Sequence, residues 1–154
     1  MASPDPGKSP RGDESAAVAT CVFCKIVAGQ IPAHIVAESP GAIVFLDARP
    51  LFPGHCLVIP RAHHETLNDL PESLFPALFG EVQRTARALE RGLGAEGTFV
   101  AVNNRVSQSV PHLHVHVVPR KKKDGLKGFF WPRQKYETED AARATRDAIK
   151  AALT

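Results

Sequence analysis

Three histidines at every second position are the feature that most constrains how this chain folds. Residues 110–120 read VPHLHVHVVPR, in which imidazoles alternate with aliphatic side chains: His112, Leu113, His114, Val115, His116 and Val117. Successive side chains of a β-strand point to opposite faces of a sheet, so this order predicts a strand over 110–118. We expect its aliphatic face to pack in the core and its imidazole face to line a polar site.

Other segments predict an antiparallel sheet around that strand. Apolar runs bounded by glycine, proline and polar turns predict four more strands, over 34–39, 41–48, 55–60 and 97–104. These strands follow one another in pairs with short or irregular connections, and the sequence has neither a G-x-x-x-x-G-K-[ST] nor a G-x-G-x-x-G motif. This order favours an α+β fold with an antiparallel sheet of about five strands over a Rossmann fold.

Three helices are expected. Residues 21–30 predict a short helix that ends near Gly29, and Thr138 with the acidic residues after it begins an Ala-rich C-terminal helix. A long amphipathic helix is predicted from an N-cap at Ser73 to Gly92 and Gly94. Its apolar side chains recur every three or four residues: Leu74, Leu78, Val82, Ala86, Leu89 and Leu93. Residues 119–137 are basic and predicted to be irregular.

Composition limits the classes of protein to consider. The length of 154 residues suits one domain, and a net charge of +3 is too small to indicate nucleic-acid binding. Residues 1–19 are rich in proline, serine and charge, so we expect a disordered tail followed by a domain over 20–154. No apolar run is long enough for a membrane span or a signal peptide, and three cysteines do not make a disulfide framework. These features predict a cytoplasmic protein.

The histidine row has three interpretations on chemical grounds. It is an exposed, pH-sensitive strand, a metal site built on His-x-His ligands, or a site of covalent catalysis at phosphorus by an imidazole that is mostly neutral at pH 7. Ser107, Gln108 and Ser109 precede the row and offer hydroxyl, amide and backbone N–H groups. Such groups suit phosphate oxygens or a leaving group, although a plain polar turn has the same composition.

The row resembles the signature of the histidine triad (HIT) family, His-φ-His-φ-His-φ-φ with φ apolar. The resemblance is carried by QSVPHLHVHVVPR and extends to CVFCKIVAGQIPAHIV, FLDARPLFPGHCLVIPRAH and FVAVNN, so it covers roughly residues 21–135. It implies a HIT-like fold, a homodimer that shares a continuous sheet, a purine nucleotide pocket, and hydrolysis or transfer of nucleotides at the α-phosphate. The stretch NNRVSQS is shorter than its counterpart in many members, and Ser107 stands where glycine is frequent.

The resemblance also implies roles for individual residues. His114 matches the nucleophile that forms a nucleotidyl-histidine intermediate, His116 matches a phosphate contact, and His112 helps to orient the site. Residues matched to contacts with substrate are Gln108, Ser109 and Asn103 near the phosphate and leaving group, Asp47 at the ribose, and Val22, Phe23, Ile26 and Phe45 around the base. The implied substrates are nucleoside phosphoramidates, adenylated amines or dinucleoside polyphosphates, and no organic cofactor is expected.

The pair Cys21 and Cys24 has the spacing of a metal-binding or redox motif, although a lone C-x-x-C is often neither. A zinc-binding bacterial branch of the resembled family implies structural, four-coordinate Zn²⁺ with His63 and His112 as the other ligands. His64 is the alternative to His63. Cys56, within an apolar strand, is expected to be a buried small side chain.

Several features keep more than one interpretation. Lys121–Lys123 suit a solvated loop or the attraction of an anionic nucleotide, and Trp131 in GFFWP is interpreted first as packing. No role is predicted for His34 or His55. At the level of the whole protein, the rivals to an enzyme of this kind are a zinc-stabilised nucleotide-binding module with little turnover and a catalytic metal site made by the histidine row itself.

Overall fold

The computed structural model describes residues 12–126 and 134–153. The chain divides into two compact units, Met1–Lys122 and Lys123–Thr154. The predicted tail over 1–11 and Trp131 within 127–133 therefore lie outside the described residues. Among the described residues, no helix is both long and apolar enough to cross a bilayer.

A five-stranded antiparallel sheet is the centre of the first unit, as predicted. Its strands are Ile35–Glu38 (β1), Ala42–Leu46 (β2), Cys56–Pro60 (β3), Gly97–Ala101 (β4) and Val115–Arg120 (β5). Their order across the sheet is β1-β2-β3-β5-β4, and each neighbouring pair is antiparallel. The histidine-containing strand β5 thus lies inside the sheet, whereas β1 and β4 form its edges.

The two faces of the sheet are covered by different helices. The long amphipathic helix Phe75–Leu93 (α3) contacts β5, and its buried side chains Leu78, Val82 and Leu89 join Leu113, Val115 and Val117 in one apolar cluster. The short helix Val22–Val27 (α2) supplies Phe23 to a second cluster, which contains Phe45 and Ile59. The prediction that the aliphatic face of the histidine row packs in the core is confirmed, because Leu113, Val115 and Val117 all lie in the cluster with α3.

Helix boundaries follow local capping rules. Helix α3 has a proline in its first turn and ends at Gly94 in the left-handed conformation, with φ of 65°. In the second unit, the C-terminal helix Glu139–Ala152 (α4) begins at Thr138, whose hydroxyl accepts a hydrogen bond from the Ala141 N–H. Ser73 was wrongly predicted as an N-cap, because a 3₁₀ turn over Glu72–Leu74 precedes α3 and moves its first residue to Phe75.

The N-terminal prediction was also wrong over part of its length. Residues Gly12–Thr20 form a helix (α1) where a disordered tail was predicted through residue 19. Alanine at positions 16, 17 and 19 has the highest helix propensity of any residue. The Thr20 hydroxyl hydrogen-bonds the carbonyls of Ala16 and Ala17 in the last turn.

The strand predicted over 110–118 begins later than expected. Regular pairing starts only at Val115, so His112 and His114 precede β5 and only His116 lies within it. The reason is that the Leu113 N–H donates to the carbonyl of His64 at 2.6 Å, while the His112 N–H donates to the carbonyl of Val110. These backbone groups are therefore used outside the strand ladder.

Candidate active site and metal cluster

His114 is the imidazole whose protonation the structure defines most clearly. It is 3% exposed, and its Nδ1 lies 2.7 Å from the carbonyl oxygen of His112. A carbonyl accepts only, so Nδ1 carries the hydrogen and Nε2 of the neutral ring keeps its lone pair. The Phe23 ring packs edge-on against this imidazole, with 5.2 Å between ring centroids. The arrangement leaves the lone pair of Nε2 of His114 in a fixed orientation.

A relay of hydrogen bonds fixes the neighbouring His116. The Leu51 N–H donates to Nδ1 of His55 at 3.1 Å, so Nε2 of His55 carries a hydrogen in the neutral ring. That Nε2 lies 2.9 Å from Nδ1 of His116, and Oδ2 of Asp47 lies 3.7 Å from it. Consequently the neutral His116 holds its own hydrogen on Nε2, which is available to a phosphate oxygen.

Burial keeps this histidine pair neutral at physiological pH. Loss of water lowers the pKa of His116 to about 4, and the nearby His114 and His55 act in the same direction. Burial also lowers the pKa of His55, against the opposing effect of the Asp47 carboxylate. The pair therefore transmits orientation through hydrogen bonds between uncharged rings.

Sequence reasoning assigned no role to His55. The signal for it is the register of β3 against β5, in which Leu57 lies opposite His116. His55 is two residues from Leu57 and so faces the same side of the sheet. Gly54 supports this placement, because its φ of +99° is unfavourable for other residues and an added Cβ would collide with Leu93.

The predicted metal ligands lie together. One ligand atom from each of Cys21, Cys24, His63 and His112 falls within 4.8 Å of every other. Nδ1 of His112 is 3.5 Å from both sulfurs, and Nδ1 of His63 is 3.2 Å from the sulfur of Cys24. The cysteines come from the start of α2, whereas the histidines are 39 or more residues away along the chain. His64 is not part of the cluster.

The donor set fits a metal ion that prefers sulfur and nitrogen. Nε2 of His112 lies 2.9 Å from the carbonyl of Pro60, so it carries the hydrogen and leaves the lone pair of Nδ1 toward the sulfurs. Burial lowers the pKa of His112 to about 4 and raises that of Cys24 to about 12. In addition, Nε2 of His63 is buried and, within the described part of the chain, has no hydrogen-bond partner. Two thiols and two imidazoles suit zinc.

The loop before the histidine row is held by amide side chains. Nε2 of Gln108 donates to the carbonyl of Glu65 at 2.6 Å, and its Oε1 accepts from the Arg105 N–H. Oδ1 of Asn104 accepts from the Leu67 N–H at 2.9 Å. Arg105 and Ser107 both have left-handed φ angles, of 66° and 61°, a conformation that favours glycine, which this loop lacks. Thus Gln108 attaches the loop to Glu65, and Asn104 attaches it to Leu67.

The remaining predicted site residues lie in several parts of the first unit. Phe23, Ile26 and Phe45 share one apolar cluster, while Asp47 contacts the histidine relay and Asn103 is exposed. Val22 and Ser109 line a common pocket of about 320 Å³ beside Cys21 and His63. Of the other features, Cys56 is buried as predicted, whereas Lys121–Lys123 and His34 are exposed.

The amino-acid sequence of the chain is similar to those of proteins with named activities. The chain is 36% identical over 108 residues to adenylylsulfatase HINT3 of Arabidopsis thaliana, which covers 69% of this chain and 55% of that protein. It is 33% identical over 123 residues to the adenosine 5'-monophosphoramidase hnt1 of Schizosaccharomyces pombe, across 79% of this chain and 90% of that protein. Both relatives are named for the hydrolysis of adenylyl compounds.

Solved structures agree with the fold. A HIT family protein from Bacillus subtilis superimposes with a TM-score of 0.80 and 32% identity, over 88% of this chain and 98% of that one. A zinc-bound histidine triad protein from Mycobacterium smegmatis gives a TM-score of 0.68 and 37% identity, over 88% and 96%. The HIT domain model matches residues 28–123, which include the relay, the nucleophile and two of the four clustered ligands. The chain therefore belongs to the histidine triad family.

Proposed function

We propose that this protein is a purine nucleotide hydrolase or nucleotidyl transferase that acts at the α-phosphate and releases a nucleoside monophosphate. The observation that carries the proposal is the bond from Nδ1–H of His114 to the carbonyl of His112, which leaves Nε2 as a nucleophile. The activities for which the two curated relatives are named support the same class of substrate, including nucleoside phosphoramidates.

In the first step, the lone pair of Nε2 of His114 forms a bond to the α-phosphorus while the bond from phosphorus to the leaving group breaks. The ring then carries a positive charge, which the carbonyl of His112 stabilises through the Nδ1–H. The leaving group takes a proton through Ser109 or a neighbouring group. Nε2–H of His116, oriented by His55, donates to a phosphate oxygen as negative charge develops there.

In the second step, the oxygen of a water molecule attacks the same phosphorus and the bond between phosphorus and His114 breaks. The products are a nucleoside monophosphate and the neutral imidazole with its lone pair restored, and one water proton passes to solvent. We place the ribose at Asp47, the base against Val22, Phe23, Ile26 and Phe45, and the phosphate and leaving group near Gln108, Ser109 and Asn103. The roles of this set are those of the family signature.

We further propose that Cys21, Cys24, His63 and His112 hold structural Zn²⁺. With four protein donors the ion would cross-link the start of α2 to two distant segments and leave no ligand position for water. The cysteines must be thiolates to bind it, which agrees with a reducing, cytoplasmic location and with three free thiols. The chemistry at phosphorus does not use this ion.

A homodimer is also part of the proposal. Strand β4 is an edge of the sheet, so one row of its backbone N–H and C=O groups has no strand beside it among the described residues. Val100 on this strand is 44% exposed. Pairing of β4 with its copy would continue the sheet into a second subunit and satisfy those groups.

The first test is intact-protein mass after brief reaction with an adenosine phosphoramidate, quenched without acid, in wild type and His114→Ala. We expect an AMP-sized adduct on wild type only, with loss of turnover but retained AMP binding in the variant. Absence of both adduct and released AMP in the wild type would favour the binding module. Equal AMP release by both proteins would exclude His114 as the nucleophile and favour a catalytic metal.

A further inference from the structure

One residue, His112, belongs to both the metal cluster and the support of the nucleophile. Its Nδ1 faces the sulfurs of Cys21 and Cys24, while its Nε2–H donates to the carbonyl of Pro60. Its own carbonyl accepts the Nδ1–H of His114 at 2.7 Å. The ring of His112 is fully buried, so it cannot move without displacing the core around it. The orientation of His114 thus depends on where His112 is held.

The second clustered histidine begins a segment with a similar connection. After His63, the backbones of His64, Glu65 and Leu67 form hydrogen bonds with the loop over 104–113. The carbonyl of His64 accepts the Leu113 N–H, and the carbonyl of Glu65 accepts Nε2–H of Gln108. The Leu67 N–H donates to Oδ1 of Asn104. Two parts of the proposed phosphate site therefore depend on the four clustered residues. His114 is bonded to the carbonyl of His112, and the loop over 104–113 is bonded to the residues that follow His63.

We propose that metal occupancy of the Cys21, Cys24, His63 and His112 cluster sets the geometry of the nucleotide site, so that the cluster is a positioning element for His114 and the 104–109 loop. This inference rests on the proposed function and on the proposed metal. Without the ion, His112 and His63 are held against α2 by their hydrogen bonds to the thiols and, for His112, by packing against the Phe23 ring, and among the described residues no bond fixes the angle between the two imidazoles. If the metal changes the affinity for the nucleotide, the nucleotide must change the affinity for the metal by the same factor, because coupling between two binding sites is reciprocal.

The direct test uses the full chain loaded with Co²⁺, whose visible absorption reports its ligand geometry. We expect saturating AMP to shift the absorption bands of the thiolate-bound Co²⁺, because AMP restrains His114 and, through it, His112. Unchanged bands at a concentration of AMP that demonstrably binds would overturn the inference alone. Failure of AMP to bind would overturn the proposed function with it, and failure of Co²⁺ to give thiolate absorption would overturn the metal proposal.

A second measurement compares AMP affinity by calorimetry in the zinc-loaded and chelator-treated protein, with circular dichroism as the check on folding. In protein that stays folded, we expect AMP to bind at least about tenfold more weakly without metal, a coupling of ordinary size. The Nδ1–H resonance of His114 should also broaden or disappear in the ¹⁵N-edited spectrum. Equal affinity and an unchanged resonance would contradict the proposal.

A variant that keeps the metal tests the loop connection separately. Asn104→Ala removes the acceptor for the Leu67 N–H and leaves all four ligands in place. We expect full zinc content and AMP binding about fivefold weaker, as for loss of one ordinary hydrogen bond. Ser39→Ala is the matched control, since its hydroxyl hydrogen-bonds the carbonyl and the N–H of Ala42 within the β1–β2 turn. If Asn104→Ala and Ser39→Ala bind AMP equally well, the loop is not positioned through residues 63–67.

Discussion

The role of the hydrogen bond from His55 to His116 can be tested with two substitutions, each of which retains one of the two hydrogen bonds of the His55 ring. In His55→Asn the side-chain oxygen retains the acceptor for the Leu51 N–H, but the donor to His116 is lost. In His55→Gln the amide nitrogen reaches the position of Nε2 and retains that donor. The two variants therefore differ in the bond that the relay needs.

The structure gives the size of the expected effect. His55 is 3% exposed, and its bond to His116 is 2.9 Å long, so His55→Asn leaves a buried acceptor without its donor. Such a loss costs about 1–3 kcal/mol. If the whole of this free energy is lost from transition-state stabilisation, because His116 is no longer oriented, kcat/KM decreases roughly 5- to 150-fold. His55→Gln should retain most of the activity.

The assay is kcat/KM for an adenosine phosphoramidate at pH 7, with thermal unfolding measured in parallel. Val82→Ala is the control for general destabilisation, because Val82 lies on α3 and is buried in the apolar cluster that does not contain Phe23. We expect Val82→Ala to lower the melting temperature without changing kcat/KM. The relay would be refuted by a folded His55→Asn with wild-type kcat/KM, or by equal losses in the Asn and Gln variants.

Three further predictions concern stability and assembly. Gly54→Ala should lower the free energy of unfolding in urea by more than Gly29→Ala. Each substitution places a Cβ at a positive φ, which costs about 1–2 kcal/mol, but Gly54 has φ of +99° and an added Cβ there also meets Leu93 and Pro119, whereas Gly29 has φ of +71° and open space around it; equal costs would contradict this. Burial lowers the pKa of His116 to about 4, so between that pH and about 6.5 this histidine is protonated in the unfolded chain and neutral in the folded chain. The melting temperature should therefore fall as the pH decreases from about 6.5 to about 4. A rise over that range would contradict the burial argument. Val100→Asp on the edge strand should convert a dimer to a monomer by light scattering, and an unchanged mass would exclude pairing through β4.

Much of the fold was predictable because it depends on neighbours in the sequence. Alternation of period two correctly placed Leu113, Val115 and Val117 in the core, although regular pairing begins only at Val115. Helix α4 begins at the predicted Thr138, where a capping hydroxyl needs only the backbone three residues ahead. The spacing of Cys21 and Cys24 left a metal-binding motif, a redox motif or neither open, and the structure brings both sulfurs close to His63 and His112.

Long-range pairing decided what the sequence left open. The cluster joins Cys21 to His112 across 91 residues, and the relay joins His55 to His116 across 61. No local rule predicts either contact, because each depends on which strands pair and in which register. The same pairing gives the Leu113 N–H to the carbonyl of His64 and so delays the start of β5. The sequence by itself determined the alternation of imidazoles with buried aliphatic side chains, whereas only the tertiary structure decided the hydrogen-bond partners of those imidazoles and brought His55 to His116, because a partner is chosen by distance in space.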